Sequence, residues 1–301
     1  CALNISIPKQ TNISVLIIYL KQLAYRNSSE KDKDDFDGND VTIEKKLTIE
    51  AANIGAAVTN NGNIVVTAKA GELEQTLAQV ITGGKVQIGG AYNGSDVTGE
   101  VISMTADKLV NSTEIKVNTG DTLKFTGTNA LALADNAKVT GVGAVEIAGN
   151  ITSNAMIDVT GGFTVDTTGA LTTAAGNIGA DVTNSGTVNL TDGTLAKKVT
   201  GGTLTIDGAV TSDAGNILGD TNTVNSGKTL TLTGDGTGDD TLTVAIGGAG
   251  NLTINGNVSA NADNIGTTGT NTVNEGKTLT ITGGALTQTI GGAGGIFGGL
   301  T

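Results

Sequence analysis

The chain of 301 residues contains 46 glycines, 2% aromatic residues, no histidine and no tryptophan, and carries a formal net charge of −12. A compact core of this size is ordinarily built on bulky aromatic and aliphatic side chains, so an apolar fraction of 38% made mostly of Ala, Val, Ile and Leu suits a narrow core filled layer by layer instead. The acidic balance excludes a general attraction to nucleic acid, and the missing histidine removes the commonest general base and transition-metal ligand.

Cys1 is the only cysteine, so no intramolecular disulfide can form. Its position admits two readings, an acylated lipoprotein cysteine or an incidental residue. Residues 1–50 hold 7 of the 17 Lys and Arg residues. The apolar run from Ile13 to Leu20 is shorter than the roughly 20 residues a bilayer span needs. No small-x-small cleavage site follows it, only Leu23, Ala24, Tyr25 and Arg26. Residues 1–40 therefore read as a terminal cap strand or helix, or as a leader-like segment, joined to the rest by a solvated charged linker from Asn27 to Asp40.

From Val41 a period-two alternation begins, with Val41, Ile43, Leu47 and Ile49 as inward candidates. Its clearest form lies between Asn222 and Ser259. There Thr229, Thr231 and Thr233 alternate with Leu230 and Leu232, and further alternating runs follow at Thr241 to Val244 and Asn251 to Asn255. A marker, Asn-Ile-Gly, recurs at Asn53, Asn177 and Asn264, with the variant Asn216, Ile217, Leu218. Each marker is followed by a turn dipeptide (Asn61-Gly62, Ser185-Gly186, Ser226-Gly227, Glu275-Gly276) and later by a Gly-Gly corner. The segment Thr105 to Thr173 keeps the alternation and loses the marker. Lys138 to Ser153 nonetheless lines up with Lys198 to Ser212. A disordered polar tract would not hold its aliphatic residues in such alternation.

These features predict an all-β chain, an elongated single-stranded β-solenoid (parallel β-helix) with an atypical N-terminal cap. Residues 41–301 form the repeat region, in irregular units of roughly 40 to 50 residues. With about 20 to 25 residues per coil and 4.8 Å per rung, the expectation is on the order of 10 to 12 coils and roughly 50 to 60 Å of length.

Chemistry is sparse. A carbohydrate-active β-helix needs clustered carboxylates and bases and aromatic sugar platforms, against which this region sets 10 scattered basic residues and the aromatics Tyr92, Phe125, Phe163 and Phe297. The loop from Gly234 to Ala245 resembles the calcium-binding nonapeptide of RTX toxins, which implies Asp235, Asp239 and Asp240 as oxygen donors. The neighbouring candidate from Gly247 offers Asn251 and Leu252 in place of an acid, so a solvated loop is the plainer reading. Thr-x-Thr pairs at Thr203/Thr205, Thr229/Thr231, Thr231/Thr233, Thr241/Thr243 and Thr278/Thr280 raise an ice-binding face. Threonine is equally what an exposed strand face favours, and sequons such as Asn111 to Thr113 and Asn251 to Thr253 are expected by chance. No catalytic, cofactor-binding, metal-binding or ligand-binding residue is nominated.

The phrases from Ala245 to Val258 and from Val273 to Gly294 resemble passenger-domain repeats of autotransporter (type V secreted) proteins, nearest in idiom to the rickettsial outer-membrane surface antigens. That resemblance implies a secreted, non-enzymatic β-helical stalk on a bacterial surface. Its implied partner is a host-cell receptor or matrix, without nucleic acid or cofactor, and it would meet the membrane only through an anchor or barrel not seen in this sequence. The family's membrane β-barrel, with its aromatic girdles, has no counterpart in the segment ending at Thr301. The material therefore reads as a passenger fragment, a truncated product or another extracellular β-solenoid. A self-assembling fibre or surface-coat subunit, joined through solenoid ends, is the alternative function.

Overall fold

A computed structural model describes residues 41–43, 46–68, 72–90, 99–234 and 240–298. The expected cap or leader at residues 1–40 lies outside these. The described chain winds as a β-solenoid of about 12 turns, in which every strand pairing is parallel. Each full turn contributes three short strands to three different sheets. One such turn comprises Lys138–Gly141, Ala144–Ile147 and Asn150–Ser153.

Alternation sets which side chains enter the core. In Thr229–Thr233, Leu230 and Leu232 are buried while the threonines stay half-exposed. Stacking then joins these residues into interior columns. One runs Ile102, Leu123, Val145, Phe163, Val182, Val199, Ile217, and another Ile151, Leu171, Val188, Leu204. At about 25 cal/mol per Å2 of apolar surface removed from water, these columns supply the main favourable term, added rung by rung. At the first described rung Ile43 is buried, and Leu47 and Ile49 are half-buried against the core.

Coil length varies more than composition suggests. Thr187 stacks under Thr203 after 16 residues, whereas Lys85 stacks under Glu114 after 29. Gly89, Gly90 and Gly99, which lie within the long coil, all have positive φ, a backbone conformation that favours glycine.

The Asn-Ile-Gly marker has a structural meaning that differs from a repeat boundary. It sits on a 3-10 turn: Ala51–Asn53, Ala175–Asn177, Ala214–Asn216 and Ala262–Asn264. A fifth turn, Ala106–Lys108, occupies the segment that lacks the marker, with Leu109 in place of isoleucine. In all five the leading alanine is buried, and the apolar residue after the turn is buried and donates its N–H back to the alanine carbonyl.

At three of these turns one sheet hands over to another. The sheet that began at Val41–Ile43 ends at Leu109–Val110, and a new one starts at Thr128–Leu131, packed on the preceding turn. The sheet of Lys46–Glu50 ends with the Ile157–Ile178 bridge, and Gly193–Leu195 starts another on Ala175–Asn177. The sheet of Glu74–Thr76 ends at Ile217–Leu218, and Asp240–Leu242 starts on Ala214–Asn216. Hand-over between sheets is thus seen at three of the five turns, one of them without the marker, and successive turns lie two or more coils apart. It also explains why Lys138–Gly141 and Val199–Thr200, alike in sequence, belong to different sheets.

Candidate functional site

The solenoid offers long outward faces, and their chemistry differs along the rod. On the sheet from Lys46–Glu50 to Met156–Val159, outward positions include Lys46, Lys85, Glu114, Lys116, Lys138 and Asp158. Lys85 Nζ lies 2.9 Å from Glu114 Oε2. On the next sheet Lys124 and Glu146 stack and pair at 2.9 Å. The hydrogen bond to Glu146 holds the Lys124 ammonium above its ordinary value of 10.5, opposed in part by burial.

The sheet from Asn150–Ser153 to Thr221–Val224 is different. One outward column reads Asn150, Ala170, Thr187, Thr203, Thr221 and its neighbour Thr152, Thr172, Asn189, Thr205, Thr223. None of these side chains is charged. The adjacent sheet carries an unbroken column of five threonines, Thr194, Thr211, Thr231, Thr253 and Thr272. The sequence-level pairs Thr203/Thr205 and Thr229/Thr231 thus fall into ladders. Thr241 stacks under Ser259 and Thr280, and the column continues to Phe297.

Of the three acids that the calcium-loop resemblance implies, Asp240 alone lies among the described residues. Asp235 and Asp239 lie outside the described residues. Asp240 opens a strand whose stacked neighbour is Val258, not an acid, and Asn251 belongs to another sheet. Among the described residues, no three His, Cys, Asp or Glu side chains gather in a metal-binding arrangement. Of the aromatics weighed as sugar platforms, Phe125 and Phe163 are core residues, Phe297 is 61% exposed, and Tyr92 lies outside the described residues.

Several acids serve the corners instead, accepting backbone N–H groups from the coil above or below. Asp181 takes Lys198 N at 3.0 Å, Asp192 takes Ala209 N at 2.8 Å, and Asp220 takes Gly202 N at 2.9 Å. Such charge-assisted bonds are stronger than neutral ones. Sequence reasoning missed two buried members of this set. Glu100, 2% exposed, accepts from Ala68 N at 3.1 Å, and Asp121, 1% exposed, accepts from Glu100 N at 3.1 Å. Both directly precede a strand at a corner, the only signal a sequence could offer.

Comparison of the chain with protein-family models, curated proteins and solved structures returns no match. The chain is a parallel β-solenoid.

Proposed function

We propose that this chain is a non-enzymatic structural and adhesive stalk of a bacterial cell surface or its secreted material, of the autotransporter-passenger kind. The observation that supports this reading most is the continuity of the rod. Parallel stacking runs through the described residues between Val41 and Gly298, and charged groups such as Lys85, Glu114, Lys124, Glu146, Asp181 and Asp192 serve ion pairs and corner caps. A scaffold of that form presents long faces at a distance from its attachment point, and its function comes from repetition and shape. The partner would be a host-cell receptor or matrix.

Antibody labelling and protease shaving of intact cells that make the protein test the location, and binding of protein-coated beads to host cells or matrix tests adhesion. Surface labelling with bead retention is expected. Protein confined inside the cell, or beads released like uncoated ones, would overturn the reading. Electron microscopy separates the alternative fibre or coat subunit, which would appear as filaments in place of separate rods, and turnover of acidic polysaccharides would replace the stalk with an enzyme.

A further inference from the structure

We infer that the uncharged face formed by Asn150–Ser153, Ala170–Thr173, Thr187–Leu190, Thr203–Ile206 and Thr221–Val224 binds an ordered water lattice, that is, the surface of ice. This goes beyond the display reading and stands without it. On this face five rungs stack in register, and seven of the ten outward positions are threonine: Thr152, Thr172, Thr187, Thr203, Thr205, Thr221 and Thr223. The remaining three are Asn150, Ala170 and Asn189, all uncharged.

Three physical features converge. Rungs repeat at about 4.8 Å and outward neighbours on one strand lie about 6.6 Å apart, so the hydroxyls and methyls form a two-dimensional grid. Those spacings lie close to oxygen repeats of ice faces. β-branched threonine has restricted χ1 freedom, so the grid is held by the sheet and little freedom is lost when water orders on it. The hydroxyl both donates and accepts, and the methyl beside it orders water without demanding a charge shell. Asn189 Nδ2 donates to Thr172 Oγ1 at 3.3 Å, and among the described residues the outward side chains of this face make no other hydrogen bond to one another.

Other partners fit less well. Nucleic acid requires basic residues, which this face lacks. Sugar chains are commonly gripped on aromatic platforms, and Phe125 and Phe163 are in the core.

The test uses the full 301-residue chain, measuring ice-crystal shape, thermal hysteresis and recrystallisation of a frozen sucrose solution. The expected result is faceted crystals and slowed recrystallisation. These are lost in the Thr205→Lys, Thr223→Lys double variant and kept in Thr140→Lys, which lies between Lys116 and Asp158 on the charged sheet. Should the double variant unfold, Thr152→Lys with Thr221→Lys at two exposed positions replaces it. Ice growth matching that in an inert protein of similar size overturns the inference, as does equal loss in Thr140→Lys. So does retention of the chain on cellulose or chitin with ice growth unaffected.

Discussion

The side-chain amide of Asn184 fills the space that a Cβ on Gly202 would need: Nδ2 lies 2.7 Å from that ideal position. It donates to the carbonyls of Gly201 and Thr203 in the next coil, at 3.1 and 3.0 Å, while its Oδ1 accepts from Gly186 N at 3.0 Å. Asn60 repeats the arrangement beneath Gly83 and Gly84, donating to Gly83 and Lys85 and accepting from Gly62. The four glycines have φ of +81°, +56°, +80° and +54°. Buried asparagine below and paired left-handed glycines above make one corner design, used twice among the described residues.

Gly202→Ala is therefore expected to destabilise the rod by at least about 1–2 kcal/mol, the cost of the left-handed backbone for a residue with a Cβ. Asn184→Ala should cost about 1–3 kcal/mol through carbonyls left without a donor. Thermal melting followed by circular dichroism checks both. The double variant should lose less than the two single losses combined, because Asn184→Ala removes the amide that the new Cβ of Gly202→Ala would meet, leaving the Gly186 carbonyl oxygen at 2.7 Å.

The hand-over turns give a second expectation. Ala214 is fully buried beneath the new strand Asp240–Leu242. Overpacking such a site costs typically about 1–3 kcal/mol, so Ala214→Leu should lower the melting temperature. Exposed Gly176, whose added Cβ meets nothing within 4 Å, should accept alanine without a comparable loss. Equal effects from the two changes would remove the special role of the buried alanine.

In the core, Phe163 stacks between Val145 and Val182. Phe163→Ala should cost about 3–5 kcal/mol and Phe163→Leu distinctly less. Denaturant titration distinguishes this from a flexible interior, in which the two variants would behave alike.

The Lys124–Glu146 pair carries a pH signature. Because the folded-state pKa of Lys124 is raised, its stabilisation is complete below the ordinary value of 10.5 and is lost as pH climbs through the higher folded value. Partial exposure at 25% and 24% limits the gain to at most about 1 kcal/mol. Glu146→Gln should lower stability slightly at neutral pH and flatten the alkaline decline. An unchanged decline in that variant would assign it to other groups.

Since Asp240 stacks under Val258, calcium or EDTA should leave the melting temperature where it was. A calcium-dependent rise abolished by Asp240→Asn would establish the metal loop.

How much of this could be read from residue order alone follows from the distance over which each interaction acts. Alternation in Thr229–Thr233 is local, and it placed Leu230 and Leu232 correctly in the core. The Gly-Gly corners at Gly83-Gly84 and Gly201-Gly202 were visible as turns, though their partners Asn60 and Asn184 lie in the neighbouring coil, whereas Gly291-Gly292, also read as a corner, lies within a strand and Gly247 of Gly247-Gly248 ends one. The turn at Ala106–Lys108 escaped because Lys108, Leu109 and Val110 stand where the marker has Asn, Ile and Gly, while the buried Ala106 and Leu109 that define it are common residues. Threonine ladders looked irregular because coil length varies: Thr194, Thr211, Thr231, Thr253 and Thr272 are unevenly spaced along the chain yet stack in one column. Register between coils is non-local and could not be read from any single strand. Buried Glu100 and Asp121 likewise resemble any other corner acids until their partners on neighbouring coils are known.

That column also supplies the most direct measurement. Spin labels at Thr194→Cys and Thr272→Cys, in a Cys1→Ser background, sit four rungs apart, which places their backbones about 19 Å from each other along the axis. A narrow electron–electron distance distribution centred near that value, broadened only by the label arms, is the expected result. A broad distribution, or a separation well beyond the reach of four rungs, would contradict the in-register solenoid.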